Sequence, residues 1–144
     1  MGQHRLACHI TNRIDARNVC AQVFINHGTI GGVLTMTRVQ DLDVKFSHGG
    51  GVVDIDADGD LDLLITGWAG ATSLTRIYRN EGGGGFTDIA AGLPGVSRGA
   101  AVWGDYDNDG DLDLLLAGYP ASGYLARVYR NDAGSFTDIG AGLT

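Results

Sequence analysis

The chain reads as a series of short apolar runs, each closed by glycine or a turn residue. Residues 21–28 (AQVFINHG) have the composition of a strand ending in a turn, and Gly31-Gly32 leads into a second strand over residues 33–39. Further on, residues 63–67, 74–80 and 86–90 each read as strands. The stretches Ser47–Gly51 and Gly99–Trp103 each lead into an acidic loop. No helical period of three to four residues is sustained between these runs. In residues 1–21 Arg5, Arg13 and Arg17 interrupt every apolar face, so neither period prevails there.

The pattern then repeats. Residues 54–80 and 105–131 agree at fifteen of twenty-seven positions at a fixed offset of 51. After one residue is lost in the next turn, residues 86–93 and 136–143 agree at seven of eight. A period of about 50 residues holding four short strands and glycine turns is the sequence pattern of a β-propeller blade. The expected fold is therefore all-β, with about three four-stranded antiparallel sheets, too few to close a ring. The expected units are a degenerate blade at 1–48 (with 1–19 unassigned), a blade at 49–98 and a blade at 99–144. In the degenerate unit, residues 24–28 fall where the turn at residues 78–82 falls in the next.

Each full repeat opens with five alternating aspartates and a glycine at the sixth place: Asp54, Asp56, Asp58, Asp60 and Asp62 around Gly59, then Asp105, Asp107, Asp109, Asp111 and Asp113 around Gly110. Carboxylates this crowded repel one another unless a cation lies among them, and an all-oxygen site suits calcium. The first, third and fifth aspartates can converge on one ion while the chain turns at the glycine. The seventh-place carbonyl (Asp60, Asp111) and the ninth-place carboxylate (Asp62, Asp113) complete the shell. Two calcium sites are thus expected. An EF-hand shares the opening but requires Glu at the twelfth place, where Ile65 and Leu116 stand in apolar runs.

On the motifs GDYDNDGDLDLLLAG (residues 104–118), DIDADGDLDLLITG (54–67) and the Tyr-Arg-Asn turns, the chain resembles the FG-GAP or VCBS repeat family, the blade unit of integrin α-subunit propellers and of many secreted bacterial proteins. The resemblance covers residues 49–144 well, 20–48 weakly and 1–19 not at all. It implies calcium in the loop after each innermost strand. Asp54, Asp56, Asp58 and Asp62 would be side-chain ligands, with Asp60 through its carbonyl. At the second site these become Asp105, Asp107, Asp109 and Asp113, with Asp111 through its carbonyl.

Composition agrees. Glycine supplies 24 of 144 residues, well above the usual ~7%. The net charge of −7 divides into +2 over residues 1–50 and −9 over 51–144, and ten of the acids lie in the loops. That sign disfavours a nucleic-acid partner. No run of eighteen apolar residues spans a membrane, and residues 1–20 lack the apolar core of a signal peptide. Cys8 and Cys20 make no metal site, and their spacing permits a disulfide in an oxidising compartment.

Catalysis has no motif behind it: there is no nucleophile elbow, phosphate-cradling loop or Cys–His pair. His4, His9, His27 and His48 have no carboxylate at a zinc-like spacing. Trp68 and Tyr119, at equivalent places after a strand, are candidate contact aromatics, and Trp103 is expected in the core. Tyr78 and Tyr129 are expected to pack between blades, with their flanking arginines paired to nearby carboxylates or loop carbonyls. The functional expectation is a non-catalytic, calcium-stabilised extracellular module for adhesion or head-to-tail self-assembly, its partner being itself or further blades. A terminal blade of such an array would leave one flat side uncovered. The alternatives are a lectin-like glycan-binding propeller and an accessory propeller of a larger secreted polysaccharide-active protein.

Overall fold

A computed structural model describes residues 21–30, 33–42, 46–82 and 85–143, with side chains from Leu42 and from 49 onward. All ten elements are strands. β1 (Ala21–Ile30) and β2 (Val33–Leu42) form an antiparallel hairpin. β3 (Phe46–Val53), β4 (Asp62–Trp68), β5 (Ser73–Asn80) and β6 (Phe86–Asp88) form a four-stranded antiparallel meander. β7 (Ser97–Gly104), β8 (Asp113–Tyr119), β9 (Leu125–Asp132) and β10 (Ser135–Asp138) form a second. The expected all-β class and meander blades are present. The two repeats also share an irregularity: the first strand of each bulges at the same place, between Ser47 and Gly49 and between Ser97 and Ala100.

The N-terminal unit shows two strands among the described residues, those before residue 21 lying outside them, and β3, from Phe46, pairs in the following sheet. One expectation changes. Residues 24–28 are not a turn. β1 continues through them to Ile30, and a register shift between Asn26 and Thr29 absorbs the His27-Gly28 pair as a bulge. Cys8, Cys20 and the expected reading of residues 1–19 lie outside the described residues.

The core follows from the repeat. Leu63, Ile65, Leu74, Tyr78 and Phe86 cluster with Leu42 of the hairpin on one face of the first blade. Their equivalents Leu114, Leu116, Leu125, Tyr129 and Phe136 face the other side of that blade, meeting Ile55, Leu64, Ile77 and Val96. Tyr129 therefore packs between blades, and Tyr78 packs against the hairpin side. Because the second blade covers its far face, β4 is buried on both faces, whereas β8 is covered on one. Leu64 is 1% exposed and its equivalent Leu115 is 38% exposed; Ile55 is 4% exposed and Tyr106 is 47%.

Trp103 lies at the margin of the core rather than in it. Its strand alternates between covered and exposed positions, so the ring is half-buried, tilted against Phe136 at a centroid distance of 6.0 Å. Its buried indole Nε1 has no hydrogen-bond partner. The arginines pair as expected: Arg76 with Asp88, Arg79 with Glu81, Arg127 with Asp138 and Arg130 with Asp132. These pairs are largely exposed and contribute little each.

Leu64→Ala should cost about 2–5 kcal/mol in urea unfolding, as a buried leucine does. Leu115→Ala, at the equivalent but uncovered place, should cost less than about 1 kcal/mol.

Candidate metal centres

Each acidic loop connects the first strand of its blade to the second, and its shape comes from its own side chains. In the first loop both Asp54 carboxylate oxygens accept backbone N–H groups, Oδ1 from Asp58 at 3.2 Å and Oδ2 from Gly59 at 3.0 Å. Asp58 Oδ1 then accepts the Asp60 N–H at 2.8 Å. The second loop repeats this: Asp105 accepts from Asp109 and Gly110, both at 3.2 Å, and Asp109 Oδ1 accepts from Asp111 at 2.9 Å. The turn needs left-handed backbone twice. Gly59 (φ 91°) and Gly110 (φ 99°) meet one requirement, Ala57 (φ 58°) and Asn108 (φ 61°) the other.

This geometry brings one carboxylate oxygen each from Asp54, Asp56 and Asp58 within 4.8 Å of one another, and likewise from Asp105, Asp107 and Asp109. Three convergent, largely exposed carboxylate oxygens are a hard, anionic donor set, which fits a divalent cation of the calcium type. The remaining predicted residues sit elsewhere. The Asp111 side chain accepts the Ala133 N–H at 2.9 Å, holding the β9–β10 turn. Asp60 points the same way, toward Gly82, where an added methyl would meet its Oδ2 at 2.8 Å. Neither side chain joins its triad, which leaves their carbonyls as the group available to an ion.

Asp62 and Asp113 are buried at the start of β4 and β8. Asp62 Oδ2 accepts the Ile55 N–H and Oδ1 the Asn80 N–H, both at 2.8 Å. Asp113 does the same with Tyr106 and Asn131, both at 2.9 Å. Each carboxylate thus ties the loop entrance to the end of the third strand, and each oxygen retains a second lone pair.

Sequence reasoning missed the partner in this tie. Asn80 and Asn131 are 2% and 0% exposed. Each donates to the carbonyl at the end of its loop, Leu61 at 3.2 Å and Leu112 at 3.0 Å. Each also accepts from the following turn, Gly82 N–H at 3.2 Å and Gly134 N–H at 2.7 Å. The available signal was an asparagine held at the same place in both Tyr-Arg-Asn copies.

Withdrawal from water, and then neighbouring charge, raises two of these carboxyls. Burial pushes the Asp62 carboxyl above its ordinary value of 3.8; the Ile55 and Asn80 N–H groups oppose this, and Asp56 and Asp58 add to it. Asp107 is likewise raised, first by partial withdrawal from water and then by Asp109, Asp113 and Asp105. A raised folded-state value means the folded chain holds the proton more tightly than the unfolded one. The contribution of such a group is full below the unfolded value and is lost as pH rises through the folded value. A bound cation would offset that penalty.

The other expected contact residues divide. Trp68 is half-buried, whereas Tyr119 is 41% exposed, its ring centroid 4.6 Å from that of Tyr124.

Two meander sheets, each with an acidic turn after its first strand, define a blade-repeat protein. A family model described as FG-GAP-like repeat matches residues 54–116, from the first acidic loop into β8. Across that stretch the chain is similar to FG-GAP-like repeats. It is also similar to cartilage acidic protein 1 of Xenopus tropicalis, 28% identical over 114 residues. The alignment covers 73% of this chain and 17% of that protein, so the chain spans about a sixth of its relative's length.

Asp107→Asn should weaken calcium binding at the second loop by about tenfold or more, about 1.4 kcal/mol, in calorimetric titration. In chelator the same change should leave stability unchanged or slightly raised, because it removes one like charge. Asn131→Ala should cost roughly 1–3 kcal/mol with or without calcium, since it leaves buried backbone groups unpaired.

Proposed function

We propose that the chain is a non-catalytic, calcium-stabilised extracellular repeat module that works by contact, in adhesion or in head-to-tail joining of blades. The observation that carries this reading is the pair of carboxylate triads in register, each on a loop shaped by its own side-chain-to-backbone hydrogen bonds. The ions proposed here are structural. Asp54, Asp56, Asp58 and the Asp60 carbonyl would hold one, with Asp62 beneath; Asp105, Asp107, Asp109 and the Asp111 carbonyl would hold the other, with Asp113 beneath. Bound there, calcium supplies the positive charge that lets five acids share a nine-residue turn.

Extracellular placement is supported by the repeat type, by the cartilage protein among its relatives and by the calcium concentrations that weak modular sites require. Among the described residues no helix is long and apolar enough to cross a membrane. A second reading, one stretch of blades within a longer array, is favoured by the apolar face of the last blade that stands uncovered.

Two sites at a hundredfold excess of calcium would each stabilise the fold by about 2.7 kcal/mol. Chelation should therefore lower the melting midpoint by on the order of 10 °C in scanning calorimetry. An unchanged melt, together with no calcium by elemental analysis of the dialysed protein, would remove the metal from this reading.

A further inference from the structure

The β9–β10 hairpin closes on a two-residue turn, Ala133 and Gly134, with Asp132 paired to Ser135. Both turn residues are left-handed, at φ 49° and 90°. That is the type I′ geometry, which suits Asn-Gly and which an alanine at the first place resists. Such a turn is closed by a hydrogen bond between its flanking residues, and the N–H groups of its central pair are not used. Here both are taken, and both acceptors belong to the polar frame of the second acidic loop. The Ala133 N–H donates to Asp111 Oδ2 at 2.9 Å and the Gly134 N–H to Asn131 Oδ1 at 2.7 Å.

From there the bonds run without a gap to the carboxylate triad. The Asp111 N–H donates to Oδ1 of Asp109, a triad member, at 2.9 Å. Asn131 donates to the Leu112 carbonyl through its side chain and to Asp113 through its backbone. Asp111 is the crossing point. Its N–H is held by the triad, its side chain holds the turn, and its carbonyl is the group open to an ion. The pairing that this turn closes is short: β10 meets β9 over four residues at the edge of the sheet. The first blade is built otherwise here. Its connection from Asn80 to Phe86 spans five residues and is closed by the Glu81 N–H on the Gly85 carbonyl at 3.0 Å. Gly82, the repeat equivalent of Ala133, is left-handed at φ 77° with no methyl to crowd.

We propose that Asp111 is a positioning residue that couples the second metal centre to this turn, so that an ion among Asp105, Asp107 and Asp109 and the closed β9–β10 edge favour one another. The coupling deepens the calcium reading above and rests on it. Its basis is the shared residue. A loop held in the ion-binding shape fixes the Asp111 backbone, and a fixed Asp111 presents the acceptor that keeps the strained Ala133 in place. By linkage the effect runs both ways, so whatever closes the turn tightens the ion.

Calcium titrations of the whole chain followed by NMR read the centres apart, the Gly59 amide reporting the first and the Gly110 amide the second. Asp111→Ala and Asp111→Asn lose the same charge and keep the carbonyl, but only asparagine keeps an acceptor for Ala133. Affinity at the second centre is therefore expected to be at least about fivefold weaker with alanine than with asparagine. Ala133→Asn makes the turn favourable by itself and touches no carboxylate of the triad. It should raise calcium affinity at the second centre and leave the first unchanged. In the original chain calcium should slow hydrogen exchange at the Ala133 and Gly134 amides, and Asp111→Ala should abolish that response at Ala133.

Equal affinities for the Asp111→Ala and Asp111→Asn chains would overturn the coupling, since charge alone would then explain the loss. So would turn amides that exchange alike with and without calcium, or an affinity that Ala133→Asn leaves unmoved. That last variant keeps every loop residue, so it decides the matter even where Asp111→Ala does not fold. A Gly110 amide that calcium does not shift at all would remove the metal and the coupling together, and it is told apart from the other outcomes because in those binding persists.

Discussion

Each blade depends on one buried carboxylate. Asp62 and Asp113 give both oxygens to backbone N–H groups, one at the entrance of the acidic loop and one at the end of the third strand. Hydrogen bonds to an ionised acceptor are about twice as strong as neutral ones, so two per residue fix the loop against the sheet. An anion taken out of water with Asp56 and Asp58 nearby is expensive, which the upward displacement of Asp62 reflects. The charge strengthens the two hydrogen bonds, and a cation among the outer aspartates, as proposed above, would balance it without disturbing them.

Around that anchor the two blades have identical plans and unequal surroundings. In the first, the sheet is a layer between two others, so the Leu-Leu-Ile-Thr run of β4 is buried throughout. In the second, the Leu-Leu-Leu-Ala run of β8 places Leu115 in the open. Nearly the same residues acquire different energetic weight because of what stands beside them. Stability here belongs to interfaces between neighbouring units, as expected for a stacked repeat.

Much of this could be read before any coordinates. The offset between the two aspartate runs gave the period, and the glycine-bounded runs gave the strands, because turn chemistry and apolar alternation are local signals. The convergence of Asp54, Asp56 and Asp58 was equally legible, since alternate side chains around a tight turn must face one another. What stayed hidden were relations between distant residues. Asn80 reads as a turn asparagine, and only the fold shows it reaching back to the Leu61 carbonyl. The sequence assigns Asp60 a role through its carbonyl alone, and only the fold shows its side chain lying toward the far turn at Gly82. The expected turn at residues 24–28 failed for a related reason: only the pairing with β2 shows that β1 runs on to Ile30 and takes His27 and Gly28 as a bulge.

The fourth loop position separates two centres that otherwise look alike. Both loops place it in left-handed backbone, where asparagine is at home and an alanine methyl crowds the following carbonyl at roughly 1–2 kcal/mol. With Asn108 the second loop adopts its bend at little cost, while Ala57 keeps the first under standing tension. The twin centres are therefore a graded pair. Were each loop to hold an ion, the alanine-bearing turn would be the first to relax as ion became scarce, so emptying would proceed from the middle of the chain outward.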